Sequence, residues 1–340
     1  MARFQMGSCQ FMQSPTVGVV IPAYNCEKTI LNTLHAVLAQ THANINLIVV
    51  DDGSTDKTAE IIRSVQGVRC VYQDNAGPAM ARNRGAQEVK NDLIFFTDSD
   101  CIPHKDWIEK ALGYFEDPSV AVVAGSYGIA NPENLLARCV HKEILYRHHR
   151  LMPLYPKVFG SYNFGIRKRI FEIVGGFNTS YRHASGEDND LSYKILKAGY
   201  KIYFAKEVLV NHYHPERVKK YLREQYRHGF WRVQMYLDHP SMMKGDDYTF
   251  WKDRAEVGFV SLIVLNLIVS KLFLPSGFTI TFFLFLFLFT IEGYYSWAVT
   301  KNFVETIFFT FVMLLRAFVR TFGFSSGVLR IFPKKFIKKS

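Results

Sequence analysis

From Thr16 to about residue 206, short β-branched apolar runs alternate with stretches of helical periodicity. TVGVVIP (16–22), INLIVVDD (45–52), VRCVY (68–72), DLIFFTD (92–98) and VAVVAG (120–125) read as strands. KIYFAKEVLV (201–210) reads as a later one. Helical stretches fall between them, from Glu27 to Gln40 and again through Thr58, Ile61, Ile62 and Val65, with Ser54 as a candidate cap. A third opens at Pro78 and runs through Ala81, Ala86 and Val89, a first-turn proline being tolerated in a helix. Continuous apolar strands between amphipathic helices predict an α/β fold with a mostly parallel sheet covered on both faces. Such sheets bind ligands beyond the carboxyl ends of their strands. Asn25, Asp51, Asp52, Asn75, Asp98 and Asp100 should therefore converge on one crevice.

Downstream the pattern changes. Residues 216–232 are basic and aromatic, and then 257–270 and 272–291 carry no charge at all. A soluble helix of that composition would have no polar face, so two membrane spans are expected, near 255–274 and 278–299. Pro275-Ser276-Gly277 supplies the turn, and Lys271 and Glu292 lie near the span ends. A third apolar stretch, 303–322, is interrupted by Glu305, Arg316 and Arg320, as in a helix lying in the membrane interface. The basic segment before the spans and the tail lysines Lys334, Lys335, Lys338 and Lys339 should both be cytoplasmic, which requires an even number of crossings. The expected organisation is a tail (1–15), a cytoplasmic α/β domain (16–215), a basic amphipathic connector (216–254), two spans (255–300), and an interfacial helix with a basic tail (301–340). The protein is thus expected at the cell membrane as a multi-pass chain.

Charge sharpens this picture. The net charge is +11, and residues 301–340 hold eight Lys or Arg against one acid. A basic tail beside apolar sequence points to an anionic membrane surface and away from nucleic acid. The five cysteines lack any paired spacing, so free thiols in a reducing cytosol are expected, with neither a disulfide framework nor a zinc site. Residues 1–15 contain no apolar core of signal-peptide length, so the domain should stay on the side where it is made.

The chemistry begins at Asp98-Ser99-Asp100. On a strand, residues i and i+2 point the same way, so both carboxylates can face one site, as a hard divalent cation requires. Four segments occur in order: VVIPAYN (19–25), VVDDGSTDKT (49–58), NAGPAMARNRGA (75–86) and FFTDSD (95–100). They are followed by NFGIRKRIFEIVGGFN (163–178) and GEDNDLSYKILKAGYKI (186–202). Together, over about 200 residues, they resemble the family-2 glycosyltransferases, inverting enzymes with the GT-A fold that use nucleotide-sugar donors.

The resemblance implies roles. Pro22, Ala23, Tyr24 and Asn25, with Asp51 and Asp52, match residues that hold the uracil and ribose of a donor. Gly77 and Arg82 border the same pocket. Asp98 and Ser99 would meet the nucleotide sugar, and Asp98 and Asp100 would meet Mg²⁺ or Mn²⁺ bridging its diphosphate. The Glu187-Asp188 pair matches the family's catalytic base, placed at Asp188, with Glu187 the competing candidate. His212, two residues before His214, lies where many relatives carry a metal- or diphosphate-contacting histidine. A loop or core histidine is the other reading. Arg227 and Trp231 fall near the QxxRW motif of processive membrane synthases, which breaks here at His228-Gly229, so a single transfer per encounter is expected; with His214 they are the candidate contacts to the acceptor or the donor diphosphate. The histidines of 138–150 read as a solvated face.

These features imply metal-dependent sugar transfer from a nucleotide sugar, a UDP-sugar by the resemblance, to a lipid-linked saccharide or other glycan at the membrane. The alternatives are a processive polysaccharide synthase and a polyprenyl-phosphate sugar transferase. A dehydrogenase would need GxGxxG at the first turn, and a nucleotidyltransferase a Gly-rich basic loop; Pro22-Ala23-Tyr24-Asn25 is neither.

Overall fold

A computed structural model describes residues 15–181, 185–272 and 277–337. The expected turn residues Pro275 and Ser276, the tail lysines Lys338 and Lys339 and residues 1–14 lie outside the described residues. The strands are β1 (Val17–Ala23), β2 (Ile45–Asp51), β3 (Val68–Tyr72), β4 (Leu93–Thr97), β5 (Cys101–Pro103), β6 (Val120–Ile129), β7 (Asn163–Arg167) and β8 (Lys201–His212). They form one sheet in the order β3-β2-β1-β4-β7-β6-β8-β5. The first four strands in that order are parallel, and β7 enters antiparallel between β4 and β6. The sheet is mixed rather than mostly parallel because β7 and β5 pair antiparallel with their neighbours; β7 (NFGIR) has polar residues at both ends and β5 only three residues, so neither shows as an apolar run.

Helices cover both faces. One face packs Val20, Val50, Phe96 and Phe164 against α3 (Pro78–Glu88), α6 (Lys168–Ile173) and α7 (Glu187–Lys197). The other packs Val19, Ile21, Val49 and Phe95 against α1 (Ile30–Leu38), α2 (Thr58–Ser64) and α4 (Trp107–Leu112). Alternate residues of each strand supply the two faces, as the period of two requires. Ser54 does not cap α2: Lys57 holds that position, while Ser54 donates its N–H to Asp51 and accepts the N–H of Asn25.

A bulge between Gly125 and Ser126 carries the ends of β6 and β8 toward the site. A Cβ at Gly125 would lie 2.1 Å from the carbonyl oxygen of Val208, so only glycine fits. The fully buried Asn163 amide donates to the carbonyls of Ser126 and Val208 and accepts from the Trp107 indole N–H, which satisfies the polar groups that the bulge exposes.

Outside the sheet come α5 (Leu135–Leu151), α8 (Val218–Asp238), α9 (Trp251–Leu272), α10 (Gly277–Thr300) and α11 (Phe303–Ile337). Three of these, α9, α10 and residues 303–331 of α11, are long and apolar enough to cross a membrane. They differ in their surroundings. The apolar windows of α9 and α10 are only 22% and 17% buried, whereas that of α11 is 50% buried. α11 has 35 residues, about 52 Å of helix, and its charged residues Glu305, Arg316 and Arg320 face protein. Glu305 pairs with Arg138 and Lys142 of α5, and Arg316 donates to Glu143 at 2.6 Å. Arg320 donates to Gln225 of α8 at 2.7 Å. Of the α5 histidines expected on a solvated face, His149 is exposed and His141 half-buried, whereas His148 is buried.

Three glycines, Gly229, Gly323 and Gly327, set the spacing of α8 and α11. A Cβ on Gly229 would sit 2.3 Å from the Arg320 carbonyl oxygen, and one on Gly323 2.2 Å from that of Tyr226. Both clashes are with backbone, so the helices themselves would have to part. Gly229→Ala is expected to cost about 1–3 kcal/mol and to lower the unfolding temperature of the detergent-solubilised protein. Gly113→Ala, where nothing lies within 4 Å, should leave it unchanged.

Candidate active site

Parallel β1, β2 and β4 end side by side at Ala23, Asp51 and Thr97, and the loops beyond them form one crevice. Tyr24 is half-exposed at its mouth, beyond Pro22 and Ala23, which are buried at the end of β1. Asn25 takes a left-handed backbone (φ 48°), which asparagine tolerates, and its side-chain oxygen accepts the N–H of Thr55 at 2.8 Å. Asp51 accepts the N–H of Ser54. Asp52 is buried and organises the third loop, accepting from the Gln73 side chain at 2.6 Å and from the N–H groups of Ala76 and Gly77 at 2.9 Å each. Gly77 itself has φ 93°, open to glycine alone without strain. The Asp52 carboxylate thus shapes the crevice wall, with its oxygens committed to the loop.

Arg82 is also inside the wall. It projects from α3, is 2% exposed, and donates to Asp98 at 2.6 Å and to Glu187 at 3.1 Å. This one guanidinium joins the end of β4 to the start of α7. The second oxygen of Glu187 accepts the Ser185 N–H at 2.7 Å. Burial and the adjacent Asp188 push the Glu187 carboxyl up, to about 7. Asp188 is half-buried and accepts the N–H of Asn189; burial raises its carboxyl too. Ser99 accepts the Thr33 hydroxyl on its carbonyl at 3.1 Å.

Asp100 faces β8. Residues 101–103 pair antiparallel with 210–212, and this register sets Cys101 against His212. The His212 Nε2 lies 3.4 Å from the Asp100 carboxylate. Burial opposes the charged form of His212, but Asp100 outweighs it and raises the imidazole above its ordinary value. The ligand atoms of Asp100, Cys101 and His212 all lie within 4.8 Å of one another. Burial drives the Cys101 thiol far up, so it stays protonated. The usable set is carboxylate oxygen and imidazole nitrogen, and that chemistry suits a hard cation such as Mn²⁺ or Mg²⁺.

His214 lies behind His212, buried, with its N–H and carbonyl both held by the Asn131 amide. Arg227 is half-buried on α8, and the Trp231 ring packs 5.7 Å from Tyr181. Sequence reasoning passed over three contributors. Lys220 and Glu224, one turn apart on α8, act electrostatically on Asp100, a spacing visible in the sequence. His228 meets the Ser185 hydroxyl at 2.9 Å, beside Glu187, a contact that no local pattern announces.

Residues 18–185 match the profile of glycosyl transferase family 2. The chain belongs to that family. It is 28% identical to the glycosyltransferase AglE of Haloferax volcanii over 70% of this chain and 80% of that one. It is 30% identical to the pre-mycofactocin glycosyltransferase of Mycobacterium tuberculosis over 66% of this chain, a match spanning only 48% of that relative. The mannosyltransferase PcManGT of Pyrobaculum calidifontis, solved with GDP-Man and Mn²⁺, superposes with a TM-score of 0.56. It is 18% identical over 90% of this chain and 87% of its own, and so shares the fold. The family-2 domain is a GT-A-like mixed sheet, and the protein is a glycosyltransferase.

Removing Arg82 would leave Glu187 buried beside Asp188 with no cation. Arg82→Met is expected to cost about 3–5 kcal/mol in denaturant unfolding. Adding Glu187→Gln should recover most of that loss, since the stranded charge goes with it.

Proposed function

We propose that this family-2 glycosyltransferase transfers a sugar, with inversion, from a nucleotide-sugar donor to a hydroxyl of a lipid-linked saccharide at a membrane surface. The observation that carries the reading is the division of labour at the start of α7. Glu187 has both carboxylate oxygens engaged, by Arg82 and by the Ser185 N–H. Asp188 accepts one backbone N–H and stands half-open on the crevice, within the field of Asp98 and Arg82. It is the carboxylate free to take a proton. The acceptor oxygen loses its proton to Asp188 as it bonds to the anomeric carbon, and the bond to the nucleoside diphosphate breaks on the opposite face. A divalent cation at Asp98, Asp100 and His212 would neutralise charge on that leaving group. The loops carrying Tyr24, Asn25, Asp51 and Gly77 are the proposed nucleotide pocket.

The membrane reading rests on α9 and α10, whose apolar surfaces are left mostly uncovered. It rests equally on α11, which lies between that hairpin and the catalytic domain. α11 touches α5 through Glu305 and α8 through Arg320, so it follows the domain's surface instead of leaving it. Two crossings and one interfacial helix keep the crevice and the basic connector on the cytoplasmic side.

A donor screen tests the reading: release of UDP from UDP-sugars, and of GDP from GDP-mannose, with Mn²⁺ and with excess EDTA. Release that is unchanged in EDTA would overturn the metal assignment. Asp188→Asn is expected to lower transfer by about 10²–10⁴-fold while largely preserving donor binding by calorimetry. Because burial raises the Asp188 carboxyl and the base works ionised, kcat/KM should rise with pH through a midpoint above the ordinary aspartate value. If Glu187→Gln is dead and Asp188→Asn retains most activity, the base is misassigned. For topology, in a chain otherwise cleared of cysteines, an impermeant thiol reagent applied to intact cells should label Lys271→Cys and spare Lys301→Cys. The reverse pattern would invert the orientation.

A further inference from the structure

Behind the Asp100–His212 pair runs a line of imidazoles that ends on a different helix. The Nδ1 of His212 lies 3.1 Å from the Nδ1 of His214, and the Nε2 of His214 lies 3.4 Å from the Nδ1 of His141 on α5. The three come from separate places: His212 ends β8, His214 follows it, and His141 sits in the second turn of a helix more than seventy residues upstream. The rings also pack on one another and on Tyr127, with the 212–214 centroids 4.7 Å apart and the 141–214 centroids 5.4 Å apart.

The hydrogen bonds along this line have one consistent polarity. A neutral imidazole carries a single N–H, so each ring that donates at one nitrogen accepts at the other. If His212 presents its Nε2 lone pair toward Asp100 and a cation, its proton is on Nδ1 and is donated to the Nδ1 of His214. His214 then carries its proton on Nε2 and donates it to the Nδ1 of His141. Each link requires the next. The anchor points are firm at both ends. Asn131 grips the His214 main chain through both its N–H and its carbonyl, and α5 is fixed by Glu143, Arg138 and Lys142 to Arg316 and Glu305 of α11.

We propose that His214 and His141 are positioning residues that fix the tautomer and ring orientation of His212, so that its Nε2 is presented to a divalent cation shared with Asp100. The inference rests on the reading of His212 as a ligand and adds to it the groups that hold it in place. Partners that orient a metal-bound histidine typically account for about 10–100-fold in metal affinity. His141 is the residue to change, because it touches neither the cation nor the nucleotide pocket. His141→Asn puts an acceptor oxygen close to the place of Nδ1, whereas His141→Leu has nearly the same shape and no acceptor.

Mn²⁺ alone, titrated by electron paramagnetic resonance against the full detergent-solubilised chain, gives a readout independent of turnover. His212→Ala should lose the site. His141→Leu should weaken Mn²⁺ about 10–100-fold, and His141→Asn should return to within about threefold of the parent chain at an unchanged unfolding temperature. Loss on His212→Ala with parental affinity in His141→Leu would overturn the inference and leave the ligand reading standing. Parental affinity in His212→Ala would overturn both. Equal weakening in the Leu and Asn variants, with a lowered unfolding temperature, would reduce His141 to packing and overturn it as well.

Discussion

Six carboxylates, those of Asp51, Asp52, Asp98, Asp100, Glu187 and Asp188, crowd one edge of a sheet whose interior is apolar. Like charges in such surroundings repel strongly, and every other feature of the crevice follows from how that repulsion is relieved. Asp52 is stabilised by backbone N–H groups, Asp98 and Glu187 share Arg82, and Asp100 faces His212. Asp51 and Asp188 each accept a single N–H among the described residues, from Ser54 and from Asn189. Of the two acids that open α7, Asp188 is the one whose carboxylate keeps an oxygen uncommitted, which is what the proposed general base needs. Arg82 therefore does two things with one charge: it joins β4 to α7, and by engaging Glu187 it leaves Asp188 as the open partner.

The same economy appears on the membrane side. α5 is a strut with two working faces. One carries His141 toward the Asp100–His212 pair. The other sends Arg138, Lys142 and Glu143 to α11, and Arg147 to Asp253 at the start of α9. Burial raises the Glu143 carboxyl, but Arg316 and Arg147 more than reverse this and hold it well below the ordinary carboxylate range. Buried ion pairs of this kind add little net stability against apolar replacements, yet breaking one partner is costly, so they fix geometry better than they fix energy. The packing of the apolar helices and the alignment of the crevice are thereby mechanically joined.

Strand periodicity made the first four parallel strands and the convergence of Asn25, Asp51, Asp98 and Asp100 legible, because both follow from local rules of alternation and topology. The resemblance added Asp188 and His212, which sit far along the chain and carry no local signature. Three things stayed hidden. β5 and β7 are short and take their place through pairing, with Cys101 set against His212 and Phe96 against Phe164. Arg82 reads as a nucleotide neighbour in sequence, and only the fold shows that its guanidinium is enclosed by Asp98 and Glu187. The apolar stretch expected to end near 322 continues as one helix to 337, because α8 supplies a packing partner that hydropathy cannot see.

That partnership explains the broken motif on α8. Where processive relatives carry QxxRW, this chain keeps Gln225 but places His228 and Gly229 at the last two positions. Gln225 accepts from Arg320 of α11, and Gly229 lies under the Arg320 carbonyl oxygen, so close that even a methyl group would meet backbone. An indole at 229 would have to displace α11 from α8 along their whole shared length. The helix face that would otherwise offer a tryptophan to a growing polymer is here spent on holding α11 against the domain. His228 turns instead to Ser185, whose N–H holds Glu187. The motif's positions thus keep a link to Glu187 through Ser185 while packing against α11.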